Sequence, residues 1–228
     1  MPELMIFGST GTLGKATLEK FEAQGWDITC GVRKVVNSRD VQLPFDIQAV
    51  PAGLEGKSFD AVVFAQGANL NGSVMENPRE QLEELFEANV TMIAETIAAM
   101  MKHSLIAQGG RVVIISSLWE QLTRQEKFAY SVTKAAVGGL VRSLAVDLGR
   151  AKGILVNAIL PGIVMSPMVE RTLSPQQIAN VVGQTPGGKL ATPVDVANAI
   201  YLLGCETNTA ISGQSIFVDQ GFSIARTI

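Results

Sequence analysis

The sequence predicts a doubly wound α/β domain, a parallel sheet of about seven strands with helices on both faces. Short, fully apolar runs alternate with helix-periodic segments along the whole chain. A glycine-rich turn follows the first apolar run and opens the first helical segment. Hydrophobic residues make up 47% of the chain and charged residues 17%, so a large share must be buried. The 228 residues suit one domain over 1–228, without linker, internal repeat or low-complexity tract.

Each element can be justified in turn. Residues 4–7 are an apolar strand, and residues 12–24 place Leu13, Ala16, Thr17 and Phe21 on one helical side. Residues 27–32 are a second strand, which puts Cys30 in the core, and residues 41–43 are a weaker third. Only thirteen residues, 47–59, then precede the fourth strand at 61–64. Pro51, Gly53 and Gly56 interrupt them, so a covering helix is expected to be absent or a single turn. Residues 81–103 are a long helix with a bend expected near Asn89, because asparagine disfavours a helix interior. Residues 111–115 form a strand that runs into Ser116 and Ser117. Helices are predicted at 129–148 and 193–203, and strands at 154–160 and 215–218.

Composition narrows the function. The formal charge is −3 and the pI about 5.3, and no basic cluster exceeds a pair such as Arg33-Lys34, which argues against a nucleic-acid partner. Cys30 and Cys205 lie far apart without metal-ligand spacing, and the one histidine, His103, sits near a helix end where a cation suits the dipole. No bound metal is expected. The first residues lack a positive signal-peptide region and no segment approaches a spanning helix, so a cytoplasmic protein without a membrane partner is expected.

Three groups of residues point to chemistry. Gly8-Ser9-Thr10-Gly11-Thr12-Leu13-Gly14 lies between strand and helix, where glycines let a pyrophosphate approach backbone N–H groups at a helix N-terminus. Its spacing is G-x-x-G-x-x-G instead of the usual G-x-G-x-x-G. At the end of the second strand, an acid would bind the ribose hydroxyls of NAD, whereas Arg33, helped by Lys34, favours the 2′-phosphate of NADP. Tyr130 and Lys134 are four residues apart on one helical face. An ammonium beside a phenol is expected to draw its pKa of about 10 toward the range of a general acid-base catalyst.

With the glycine turn, Asn89, Ser117, Tyr130-x-x-x-Lys134, Asn157-Ala-Ile-Leu-Pro161-Gly162 and Val218-Asp219-Gln220-Gly221 in this order, the chain resembles the short-chain dehydrogenase/reductase family over nearly its whole length. The resemblance implies a Rossmann-type domain and hydride transfer between a nicotinamide and a small carbonyl or alcohol. Tyr130 is then the general acid/base and Ser117, thirteen residues earlier, positions the substrate oxygen. It implies that Lys134 tunes the tyrosine and binds the nicotinamide ribose, and that Asn89 holds a helix bend and a water. Cofactor contacts are implied at Gly8, Thr10, Gly11, Thr12, Leu13, Gly14, Asp46, Ala65, Gly67, Pro161, Val164 and Ser166. A homodimer or homotetramer through the helices at 81–103 and 129–148 is implied as well, with packing of their apolar faces inside one subunit as the alternative.

Some features depart from the family pattern. The glycine spacing resembles its longer-chain members, and Ala65-Gln66-Gly67-Ala68 stands where Asn-Asn-Ala-Gly is usual. Gln220 replaces a common glycine. Residues 165–188 are expected to form a substrate lid with Met168, Val169, Leu173 and Ile178 on its apolar face. Trp119 either walls the pocket or simply packs, and Glu120, Gln121 and Gln125 are expected at its mouth, hinting at a polar substrate. Two other functions fit the same fold: an epimerase or dehydratase with retained cofactor, and a catalytically silent nucleotide-binding regulator. The short C-terminal portion disfavours the first, and the complete set Asn89, Ser117, Tyr130 and Lys134 the second.

Overall fold

The computed structural model describes residues 1–76, 79–166, 169 and 174–225. Seven strands form one sheet: β1 (Glu3–Phe7), β2 (Asp27–Val32), β3 (Asp40–Gln42), β4 (Phe59–Phe64), β5 (Ile106–Ile115), β6 (Leu155–Pro161) and β7 (Ser215–Val218). Every neighbour pairs in parallel, in the order β3-β2-β1-β4-β5-β6-β7. The winding reverses between β1 and β4, and a crevice at such a reversal is where open α/β sheets bind ligands. Strand alternation splits the core in two. Met5, Phe7, Val62, Phe64, Val112 and Ile114 face one layer, and Leu4, Ile6, Ala61, Val63, Val113 and Ile115 face the other.

Helices cover both layers. α1 (Thr12–Glu22) follows β1. The stretch after β4 is α2 (Arg79–Phe86), a π-helical turn (Glu87–Thr91) and α3 (Met92–Lys102). α4 (Phe128–Lys152) follows β5, and α5 (Pro175–Gly183) and α6 (Pro193–Gly204) follow β6. α3 and α4 pack on the first layer, α1 and α6 on the second. Met100 and Val137 are fully buried in that packing, and Leu140 and Leu144 lean on it, so these residues serve the subunit's own core.

Several boundaries differ from the sequence reading for identifiable reasons. β5 begins at Ile106, five residues before the predicted start, because Gln108-Gly109-Gly110 breaks the apolar run and the register shifts opposite Phe59 and Ala61. α4 passes through Gly149 and ends only at Gly153, whose φ of 63° forms a left-handed cap. α5 lies inside the predicted lid; its start carries a capping box of Ser174 and Gln177 with Pro175 at the first helical position.

No helix forms between β3 and β4, as expected. Phe45 and Leu54 bury themselves there instead, and Phe7 is sandwiched between Phe45 at 5.6 Å, edge to face, and Phe64 at 4.7 Å, stacked. Gly31 is required beside them, since a Cβ there would lie 2.3 Å from the Phe7 ring.

Candidate active site

The glycine turn sits at the sheet's reversal point. Gly8 leaves β1 with φ +79°, and a Cβ there would lie 2.6 Å from the Gln66 nitrogen in the loop after β4. The two loops are joined by the Ala65 N–H donating to the Phe7 carbonyl at 2.8 Å. A Cβ on Gly14 would come within 2.1 Å of the Gly8 carbonyl, so turn and helix touch backbone to backbone. Gly11, the N-cap of α1, supplies no side-chain cap, and the first turn carries no acid. Free N–H groups, a positive dipole end and the exposed Thr10, Gly11 and Thr12 make a cradle that fits a dinucleotide's pyrophosphate. Gly14 is buried and Leu13 half-buried, so those two shape the cradle from below.

Arg33 and Lys34 follow β2 on the same edge, both exposed and neither in an ion pair among the described residues. Nearby Arg39 is engaged by Glu22. Asp46 lies beyond β3, exposed, and accepts the Gln48 N–H at 2.7 Å, so its carboxylate already braces its own loop.

The catalytic candidates converge at the C-terminal ends of β4 and β5. Asn89 lies in the π-helical turn, where the widened coil aims its buried side chain at the loop after β4. Its Oδ1 accepts the Ala68 N–H at 2.8 Å, and its Nδ2 donates to the Ala68 carbonyl at 3.0 Å and to Thr133 Oγ1 at 3.1 Å. Thr133 in turn donates to the Tyr130 carbonyl at 3.0 Å, which ties the bend to the first turn of α4. A Cβ on Gly67 would meet Asn89 Oδ1 at 2.9 Å and Lys134 Nζ at 3.5 Å, so Gly67 leaves open the space above both. The predicted bend at Asn89 is therefore a π-helical turn, and the asparagine spends its hydrogen bonds on protein groups.

Ser117 and not Ser116 addresses the tyrosine. The Ser117 side chain is the polar neighbour that favours the charged form of the Tyr130 phenol, and its Oγ accepts the Trp119 N–H at 3.3 Å. Ser116 Oγ is buried with no partner. Lys134 is 4% exposed; its Nζ lies 5.6 Å from the centre of the Tyr130 ring and donates to the Ile115 carbonyl at 3.3 Å.

Burial decides the electrostatics. It pushes the Tyr130 phenol above its ordinary pKa, and the Ser117 side chain opposes this. Burial also brings the Lys134 ammonium down to about 8, opposed by the negative charge of Glu120. The expected lowering of the phenol by Lys134 is thus not what this arrangement produces: burial raises its pKa, and the opposing influence is Ser117.

Glu120 also differs from expectation. Its carboxylate lies where a Cβ on Gly138 of α4 would be, 2.6 Å from Oε1, and its Oε2 is buried without a partner. It faces the α4 seam, while Gln121 and Gln125 are exposed. Trp119 is half-buried with the Arg124 guanidinium 5.9 Å from its ring.

The remaining cofactor candidates lie in the segments that follow β4 and β6. Ala65 is half-buried beside Gly8, and Gln66 Oε1 is buried and unpartnered. Pro161 ends β6, and Val164 pairs with Ala191 as an isolated parallel bridge. Ser166 Oγ accepts the Val169 N–H at 3.3 Å. Of the predicted lid face, Val169 and Ile178 are half-buried, whereas Met168 and Leu173 lie outside the described residues. Among the described residues no group of three or more metal-ligating side chains occurs, and no helix is long and apolar enough to cross a membrane.

The sequence reading missed Lys127, which precedes α4. It is buried, donates to Asn69 Oδ1 at 2.8 Å and lies 5.1 Å from the centre of the Tyr130 ring. Its three-residue spacing from Tyr130 was the available signal.

The chain is similar to known proteins over most of its length. The sequence model of a family described as Enoyl-(Acyl carrier protein) reductase matches residues 12–223. The chain is 27% identical to the 3-oxoacyl-[acyl-carrier-protein] reductase FabG of Escherichia coli (strain K12) over 234 residues, covering 95% of each protein. It is 25% identical to the gluconate 5-dehydrogenase of Gluconobacter oxydans (strain 621H), covering 98% of this chain and 86% of that one. The solved structure of ElxO with NADP bound superposes with a TM-score of 0.80 at 22% identity, over 97% of this chain and 98% of that one, a likeness of fold.

Proposed function

The chain belongs to the short-chain dehydrogenase/reductase family, and on that premise we propose an NADP-dependent oxidoreductase acting on a carbonyl or secondary alcohol. One observation carries the reading. The Tyr130 phenol has the Ser117 side chain as its polar neighbour and buried Lys134 against its ring, on a helix turn tied to Asn89. The bound nicotinamide supplies or accepts the hydride. Ser117 orients the substrate oxygen, and Tyr130 delivers a proton to that oxygen in reduction or removes it in oxidation. Lys134 offers an ammonium beneath the ring and toward the space above Gly67, where a ribose hydroxyl would be held. The Asn89 bend fixes the turn that carries Tyr130.

Arg33 and Lys34 at the end of β2, in no ion pair among the described residues, support NADP, as does the NADP-bound fold relative. The activities named for the relatives differ from one another, so they support the reaction type and not a substrate. We further propose a cytoplasmic homodimer or homotetramer through α3 and α4; on α4, Val132 and Val146 remain exposed.

A carbonyl and alcohol panel followed by nicotinamide absorbance, with NADPH and NADH, tests the reading. Tyr130→Phe is expected to lower kcat by at least about a hundredfold, the usual worth of general acid-base catalysis; full turnover in that variant would sink it. Arg33→Ala is expected to weaken NADPH binding far more than NADH binding, and equal losses would remove the NADP assignment.

A further inference from the structure

We infer that Lys127 recognises a carboxylate on the substrate, so that this protein acts on oxo acids or hydroxy acids in preference to neutral carbonyl compounds. The inference rests on the proposed role of Tyr130 and adds the substrate class.

The contacts of Lys127 within the subunit, a hydrogen bond to Asn69 and a cation–π contact with the Tyr130 ring, supply this lysine with no countercharge. It is 6% exposed, and burying an ammonium is costly unless it is paired. It directly precedes α4, at the positive end of a 25-residue helix where a cation is unfavourable. Burial pushes its pKa down, and the Arg124 charge nearby pushes in the same direction. Ion pairs among the described residues involve Lys15, Arg39, Lys57 and Arg79, and neither Lys127 nor Arg124 has a carboxylate. The ammonium has three donors, of which the neutral, exposed Asn69 takes one. A glutamine or methionine would fill the same space without these costs.

An anion arriving with the substrate supplies the missing partner. Lys127 Nζ lies 5.1 Å from the centre of the ring whose hydroxyl meets the reacting oxygen, so the anion sits beside the reacting carbon. The nucleotide's phosphates are assigned by the proposed function to the glycine turn after β1, so they are not the partner of Lys127. The position is also held in advance: the Gly72 N–H donates to the Glu126 carbonyl at 3.1 Å and the Phe128 N–H to the Gly72 carbonyl at 3.2 Å. Those bonds clamp the residues around Lys127 to the loop that carries Asn69. Arg124, exposed over Trp119 on the same rim, adds positive potential that draws anions in.

The test compares 2-, 3- and 4-oxopentanoate with their methyl esters at saturating NADPH, in wild type and Lys127→Gln. Wild type is expected to reduce the acid at one or more spacings with kcat/KM about 10- to 100-fold above its ester, the worth of a charged hydrogen bond. That preference is expected to collapse in Lys127→Gln, whose melting temperature should equal or exceed the wild-type value because a buried charge is gone. Esters reduced as well as acids at every spacing, or a preference that survives the substitution, would overturn the inference. If none of these compounds is reduced, the hydride-transfer reading is left to the wider panel and binding decides the carboxylate site. Pentanoate should then raise the melting temperature of the NADPH-loaded wild type but not of Lys127→Gln, and no shift in wild type overturns the site.

Discussion

At Lys134 two opposing influences set the protonation of the reaction centre. Burial lowers its pKa from 10.5 to about 8, and Glu120 resists that. The folded-state value lies below the unfolded one, so between about pH 8 and 10.5 the unfolded chain holds a proton that the folded chain has lost. Wild-type stability therefore gains with pH across that window, and charging the buried amine costs stability below it. Lys134→Met is expected to melt higher than wild type at neutral pH, with the gap narrowing from pH 8 toward 10.5; a gap independent of pH would contradict the buried ammonium. If the charged amine is needed for turnover, kcat/KM falls as pH rises past about 8. Glu120→Gln removes the supporting charge and should move that falling limb to lower pH, which a pH–rate profile reads directly.

Among the elements, the π-helical turn between α2 and α3 joins the loop after β4 to the start of α4. Asn89→Ala would strand the Ala68 N–H and carbonyl, which Asn89 now satisfies, and release Thr133. An unsatisfied buried group costs about 1–3 kcal/mol and Ala68 is only half-buried, so a loss of about 1–3 kcal/mol is expected by denaturant titration. Hydrogen exchange at the Ala68 amide should accelerate with it. The sequence foretold a bend here because asparagine sits badly in a helix interior, but not its π geometry, which depends on contacts reaching to α4. Strands and helices with clear apolar periodicity were legible for the same local reason. β5 was underestimated because Gly109 and Gly110 hide a strand whose pairing is supplied by β4. Lys127 was overlooked because its three-residue spacing from Tyr130, the one local signal, does not by itself distinguish a buried lysine from a solvated one. Glu120 was placed at the pocket mouth, yet Gly138, which offers it room, lies eighteen residues away on α4.

For the whole molecule, the reversal of winding at β1 and β4 brings the glycine turn against the loop that Asn89 holds. Gly14→Ala should disturb both, since its Cβ would lie 2.1 Å from the Gly8 carbonyl and backbone cannot swing aside as a side chain can. Overpacking of this kind costs about 1–3 kcal/mol. A fall in melting temperature together with weaker nucleotide binding is the expected result, and a variant that binds and melts like wild type would show that the turn is looser than described. The order of elements made this meeting point foreseeable, whereas the close approach itself required the folded chain.

The flank between β3 and β4 is closed by two side chains, Phe45 and Leu54, and the residues between them from Asp46 to Gly53 are mostly exposed. Such a span behaves as a removable panel: its ends are pinned and its middle bears little of the sheet's packing. Foreign sequence spliced in near Gln48 to Val50 should leave the sheet intact, so a fluorescent module could be housed there and the domain made into a sensor.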